Sequence, residues 1–185
     1  MKQRIAFSLL FAVLVLASSQ KCKCQATADA PDKFGHIVQV GQVAPDFEIE
    51  YLDGTKIKLS SLRGKVVMLQ FTASWCSVCR KEMPHIESEI YQKLKDSPDF
   101  KLVGIDLKED AETIKKFSKS TGITYPLTLD SAGRKFELYA AKDAGVTRNI
   151  IIDREGKIVL LTRLYNTEEF EKMKNLIFKL VSEEK

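Results

Sequence analysis

Lys65-Val-Val-Met-Leu-Gln-Phe-Thr72 leads through Ala73-Ser74 into Trp75-Cys-Ser-Val-Cys79, and Arg80-Lys-Glu-Met-Pro84 follows. The first segment is a near-continuous apolar run of strand length, as expected of a central strand buried on both faces. From Cys79 onward, apolar residues recur at Met83, Ile86, Ile90 and Leu94. Those spacings of four and three define one face of a helix of about 17 residues. Pro84 lies inside it and predicts a kink. Two cysteines two residues apart therefore sit where a buried strand becomes a helix. Backbone N–H groups at a helix start lack intrahelical partners and carry partial positive charge. A thiolate held there is stabilised, so its pKa falls. Two thiols at this spacing close a small disulfide, and the site can cycle between dithiol and disulfide.

Towards the N-terminus, Phe47-Glu-Ile-Glu-Tyr51 alternates apolar and acidic residues, the period of a half-buried strand. Asp53-Gly54 is a hairpin turn signal, and Ile57-Lys-Leu59 returns with alternation. Ile37 to Val40 reads as a short extended piece, and Ser60 to Gly64 as a brief loop or single turn. Towards the C-terminus, Phe100–Asp106 is the next strand. Asp110–Thr121 is a second helix, with Ala111, Ile114, Phe117 and Ser118 on one side and Gly122 after its end. A loop with a short extended piece follows over 123–129. Ala132–Ala141 reads as a short helix. Thr147–Asp153 is a strand, Arg154-Glu-Gly156 a turn, and Lys157–Leu161 its hairpin partner. A closing helix runs from about Thr167 to Val181, with an apolar stripe at Phe170, Met173, Ile177 and Leu180 and with Thr167 as its N-cap. This order argues for an α/β architecture around a mixed β-sheet flanked by helices, with an N-terminal β-hairpin extension.

The length of 185 residues, 44% of them hydrophobic, suits one globular domain with a sizeable core. Residues 1–19 read as a signal peptide. Lys2 and Arg4 form a basic start, Ile5–Ala17 is an apolar run broken only by Ser8, and Ala17-Ser-Ser19 supplies small residues for cleavage. The alternatives are an uncleaved anchor, or a lipid-bearing Cys22, against which Gln20 and Lys21 stand. Residues 20–35 read as a flexible leader and 36–185 as the domain. Loss of residues 1–19 removes Lys2 and Arg4 and no acid, leaving a formal charge of about +2. The remaining basic residues are interspersed with acids, which speaks against nucleic acid as a partner. Of the four cysteines, Cys22 and Cys24 are too close for an unstrained bridge. A double CxxC zinc site is excluded because only Cys76 and Cys79 have that spacing.

Four stretches carry a family resemblance: Val40-Gly-Gln-Val-Ala-Pro-Asp-Phe47, Leu59-Ser-Ser-Leu-Arg-Gly-Lys-Val-Val67, Phe71–Pro84 around the cysteines, and Ile150-Ile-Ile-Asp-Arg-Glu-Gly156. Together they resemble the TlpA/ResA-like thiol–disulfide oxidoreductases, a thioredoxin-fold branch of the AhpC/TSA–redoxin group. The resemblance implies a thioredoxin-like domain that is exported to the periplasm and acts more as a reductase than as an oxidant. It implies disulfide-containing envelope proteins and an upstream electron donor as partners. No cofactor or resident metal is implied, and membrane contact is expected only through the N-terminal segment if it is left uncleaved. The chain departs from the pattern twice. Thr147 stands where the family has a cis-proline facing the cysteines, and Gln70 stands where thioredoxins proper carry a buried aspartate.

Cys76 is nearest the helix start and is the expected nucleophile. Cys79, one turn in and facing the core, is the expected resolving thiol. A static structural bridge is the alternative. The resemblance gives Glu82 a role in tuning the cysteines or moving a proton, against a plain surface ion pair. Trp75 is either a docking surface that shields the pair or a core tryptophan. Thr147 is expected to offer a backbone edge to an extended substrate segment. Arg80 and Lys81 read as a solvated face, and His36 and His85 as lone histidines without ligand spacing. Two other functions use the same cysteines. A peroxiredoxin-like peroxidase wants a proline and a hydroxyl residue where Leu69 and Ala73 stand. A metal-binding or metallochaperone module would hold an ion between Cys76 and Cys79.

Overall fold

The computed structural model describes residues 31–183. The expected signal peptide, Cys22, Cys24 and most of the leader lie outside the described residues. Strand β1 (Glu48–Glu50) pairs antiparallel with β2 (Lys56–Lys58) in a small separate sheet, the expected hairpin. Leu59–Leu62 makes one 3-10 turn and leads into β3 (Val66–Thr72), whose seven residues are all buried. The remaining strands are β4 (Phe100–Leu107), β5 (Leu127–Asp130), β6 (Arg148–Ile152) and β7 (Ile158–Leu161). They join β3 in one mixed sheet of order β5-β4-β3-β6-β7. β4 and β5 run parallel to β3, and β6 runs antiparallel to it. A strand with one uncharged polar side chain, Gln70, and one threonine among apolar neighbours is the one that tolerates the centre. Each large side chain it buries contributes about 1.5–3 kcal/mol. Gly104 lets β5 close on β4, because a Cβ there would collide with the Leu127 side chain.

The two faces of β3 meet different layers. Phe71 packs edge-on against Phe136 at a centroid distance of 5.6 Å and tilted against Tyr139 at the same distance. Thr72, on the other face, donates its hydroxyl to Met83 Sδ at 3.4 Å, so the helix after the cysteines lies there. That helix begins as α1 (Ser77–His85), continues as a π-helical stretch (Ile86–Tyr91) and ends as α2 (Gln92–Leu94). Pro84 has no N–H to give, and the chain accommodates it by widening to π geometry in the following turn. Helix α3 (Ala111–Thr121) is capped by Asp110, which accepts from Thr113 N at 2.7 Å, and ends at Gly122 with φ 72°. Helix α4 (Thr167–Ser182) packs beside α1. His85 stacks on Tyr165 at 5.2 Å, and Lys174 Nζ meets Glu89 Oε2 at 2.6 Å.

Three expectations change. The N-cap of α4 is Asn166, which accepts from Glu169 N at 3.1 Å, and Thr167 is the first helical residue. Asparagine offers the same cap one residue earlier. The short helix expected over Ala132–Ala141 is reduced to a 3-10 turn, Phe136–Leu138. The Asp130 carboxylate accepts from the backbone of Lys135 and Phe136 at 3.1 and 2.9 Å, and ring packing of Phe136 and Tyr139 on Phe71 sets the rest of the segment. Ile37–Val40 contributes no strand, and the isolated bridge beside it pairs His36 with Ala140. The last residues of the expected leader are built into the domain. Asp32 Oδ1 accepts from the N–H groups of Phe34 and His36 at 2.8 Å, and Phe34 O accepts from Arg148 Nη2 at 3.2 Å.

Candidate active site

The end of β3 delivers Cys76 to the start of α1 as its N-cap. Its Sγ accepts the Cys79 N–H at 3.2 Å, and its φ and ψ are extended. Cys76 and Cys79 form a disulfide, with Cα atoms 5.3 Å apart. The two sulfurs are not equivalent. Cys76 retains 8% of its surface and Cys79 none. The helix start gives Cys76 Sγ an N–H donor, so a thiolate there is favoured.

Thr147 closes over both sulfurs. Its Oγ1 lies 3.1 Å from Cys76 Sγ and 3.3 Å from Cys79 Sγ. Its carbonyl accepts from Leu164 N and Arg163 Nη1, both at 3.1 Å. The sequence suggested a backbone role at this position; the structure brings the side chain itself onto the disulfide. No peptide bond among the described residues is cis.

One turn after Cys79, Glu82 points inward and is buried. Asn149 Nδ2 donates to Glu82 Oε1 at 2.7 Å and also reaches Thr162 Oγ1 at 3.0 Å. Gln70 stands on β3 directly opposite Asn149, with its Oε1 held by Tyr125 Oη at 2.7 Å. Glu82 Oε2 has no hydrogen-bond partner among the described residues. A crevice too narrow for a water molecule separates Glu82 from Thr162, Leu164, Asn166, Glu169, Phe170 and Met173. Burial raises the Glu82 pKa to about 7, with the Asn149 and Gln70 amides pulling the other way. A carboxyl with that pKa changes protonation state near neutral pH. The ion-pair alternative for Glu82 does not describe this geometry.

A second carboxyl group supports the loop before the cysteines. Glu109 accepts from Ser74 N at 2.6 Å and from Ser74 Oγ at 2.5 Å. Asp106, fully buried at the end of β4 opposite Thr72, has its pKa raised to about 8 by burial and then by the neighbouring Glu109. The sequence reading passed over both residues. Asp106 ends an apolar strand and resembles any strand-terminal aspartate, so only its burial reveals it.

Trp75 is 66% exposed beside Cys76, which removes the core-tryptophan alternative. Arg80 is tied down as well as exposed: its Nε donates to Ser74 O at 2.8 Å and its guanidinium lies 4.8 Å from the Phe117 ring centre. His85 meets Glu89 at 3.0 Å, away from the sulfurs. His36 is buried, 3.1 Å from Asp32 Oδ2. Burial and then the Arg148 charge lower its pKa. Among the described residues no three His, Cys, Asp or Glu side chains gather as a metal site, and no helix is long and apolar enough to cross a membrane.

Residues 40–161 match the model of the AhpC/TSA family. The chain belongs to the AhpC/TSA family. Over 122 residues it is 33% identical to the thiol–disulfide oxidoreductase ResA of Bacillus thuringiensis, covering 66% of this chain and 68% of the relative. Its backbone superposes on the solution structure of a candidate protein disulfide isomerase from Bacteroides thetaiotaomicron with a TM-score of 0.79 and 59% identity, over 81% of this chain and 94% of the other. A candidate thiol:disulfide interchange protein DsbE from Chlorobium tepidum gives a TM-score of 0.68 at 28% identity, over 78% and 99% of the two chains. Within the AhpC/TSA family this chain is therefore a thioredoxin-fold thiol–disulfide oxidoreductase of the ResA/DsbE type, with Cys76 and Cys79 as its CxxC pair.

Proposed function

We propose that the protein is an exported reductase that transfers two electrons from the Cys76/Cys79 dithiol to disulfides of envelope proteins and is recharged by an upstream thiol donor. The observation that carries the division of labour is the asymmetry of the two sulfurs, one at the helix N-cap in a residue that keeps 8% of its surface, the other fully sealed beneath it. Cys76 thiolate attacks a substrate disulfide, forming a mixed disulfide and releasing one substrate thiolate. Glu82 takes the Cys79 proton, and Cys79 thiolate then attacks Cys76 Sγ. The intramolecular disulfide forms and the second substrate thiolate leaves. The burial of Glu82 one turn from Cys79 and its pKa of about 7 support that transfer. Exposed Trp75 and the Thr147 loop frame the opening through which a substrate sulfur reaches Cys76. Export rests on the N-terminal pattern of a basic start, an apolar run and small residues.

The roles are tested by two variants. Cys76→Ser is expected to lose all protein-disulfide reduction, and Cys79→Ser to accumulate mixed disulfides with its partners. Residual turnover in Cys76→Ser overturns the assignment. The direction is tested by the reduction potential. A value near that of thioredoxin, about −270 mV, is expected, and one near about −120 mV would make the protein an oxidant.

A further inference from the structure

We propose that the Thr147 hydroxyl is a catalytic hydrogen-bond donor that serves the two cysteine thiolates in turn, an inference that rests on the exchange reaction proposed above. Thr147 Oγ1 is within reach of both sulfurs, 3.1 Å from Cys76 and 3.3 Å from Cys79. The residue is buried. Its carbonyl is pinned by Leu164 N and Arg163 Nη1, and a β-branched side chain has little rotamer freedom. The hydroxyl therefore stays in place while the sulfurs change state. It carries one proton and faces two acceptors, so it bonds best to whichever is charged.

A disulfide sulfur is a weak acceptor, and the hydroxyl gains little from it. A thiolate is a charged acceptor, and hydrogen bonds to charge are the stronger kind. In the reduced protein, Cys76 thiolate receives both the Cys79 N–H and the Thr147 O–H. When it attacks, the Cys76–substrate S–S bond forms, the substrate's own S–S bond breaks, and the departing substrate thiolate takes a proton from solvent. Cys76 sulfur is now neutral. The hydroxyl turns to Cys79, whose proton passes to Glu82. Cys79 thiolate attacks Cys76 Sγ, the Cys76–Cys79 bond forms, and the second substrate sulfur leaves as a thiolate. Two electrons pass to the substrate, and Thr147 keeps its proton throughout.

Valine matches threonine in shape and lacks the hydroxyl, so Thr147→Val isolates the bond. The measurement is the pH dependence of iodoacetamide alkylation of Cys76 in the reduced protein. Thr147→Val is expected to raise the midpoint by about one unit, and Thr147→Ser to restore it. The equilibrium of the couple with glutathione is expected to move about tenfold towards the disulfide in Thr147→Val. An unchanged midpoint and equilibrium in Thr147→Val overturn the proposal. If the valine variant does not fold, Thr147→Ala is measured in the same way. In the wild-type protein the Thr147 Cβ resonance must move with the Cys76 midpoint, and a resonance flat across it also overturns the proposal. Alkylation needs no protein substrate, so it judges the hydroxyl separately from the Cys76→Ser and Cys79→Ser experiments that judge the function.

Discussion

Gln70 and Asn149 stand opposite each other on neighbouring antiparallel strands, and the Asn149 amide donates to the carboxyl of Glu82 at 2.7 Å. The buried acid comes from the helix after the cysteines, and β6 steadies it through Asn149. Asn149→Ala removes the 2.7 Å donor that favours the ionised form. The Glu82 pKa is then expected to rise by about one further unit. Carboxyl carbon NMR across pH 5–10 reads it directly. No change would mean that Asn149 does not hold the carboxylate.

Glu82→Gln removes the carboxylate to which the proposed reaction assigns the Cys79 proton. Release of mixed disulfides at pH 7 is expected to slow at least about 100-fold, while alkylation of Cys76 remains near wild type. The same variant has a stability signature. A carboxyl whose pKa is raised from 4.5 to about 7 binds its proton more tightly in the folded state. Wild-type stability therefore falls as pH rises through that window. Glu82→Gln escapes this loss. It is expected to match or trail the wild type at pH 4 and to gain up to about 3 kcal/mol on it by pH 8, measured by urea unfolding. An equal difference at both pH values would contradict the buried-acid account.

Asp106 predicts a slope of the same sign that runs from about pH 4 up to about pH 8. Its carboxyl is held protonated towards pH 8 by burial and by Glu109. Asp106→Asn keeps the shape and removes the titration. The variant is expected to melt above the wild type at pH 9 and not at pH 4. The Ser74 hold through Glu109 survives the change, so turnover at pH 7 is expected to stay within about threefold of wild type.

Arg148 is buried with its Nη1 unpartnered among the described residues, and burial followed by Arg163 lowers its pKa to about 10. It ties the carbonyls of Gly145 and Phe34 to the first residue of β6, the strand that carries Asn149 and directly follows Thr147. Arg148→Ala is expected to cost about 3 kcal/mol or more, from lost packing and orphaned carbonyls. Arg148→Met keeps the packing and loses the tie to Phe34. Amide exchange at His36 is expected to speed up about tenfold in it, and protection equal to wild type would contradict the tether.

Trp75 makes its contribution outside the folded core. Trp75→Ala is expected to leave stability within about 0.5 kcal/mol. KM for protein disulfides is expected to rise several-fold, with reduction of a small disulfide unaffected. Equal loss on both substrates would remove its docking role.

The order of the main elements, the central strand and the redox pair were all legible in the chain itself. Each is written in local terms: a continuous apolar run, a 3.6-residue period, two cysteines at a helix start. The short helix was lost where tertiary contacts outweigh local pattern: Phe136 and Tyr139 follow Phe71 rather than a helix over Ala132–Ala141. The cap of α4 is a local matter, because Asn166 and Thr167 both suit an N-cap and the earlier residue takes it.

The sequence by itself determined the pair of thiols and the strand that leads into them, because strand burial and helix-start chemistry depend on neighbours in the chain. Only the tertiary structure decided what surrounds those thiols. Thr147 lies 71 residues from Cys76, and Asn149 lies 67 from Glu82. Antiparallel pairing of β3 with β6 brings them together. A hydroxyl's hydrogen bond and a carboxyl's pKa depend on distance and burial, which no single stretch of sequence contains.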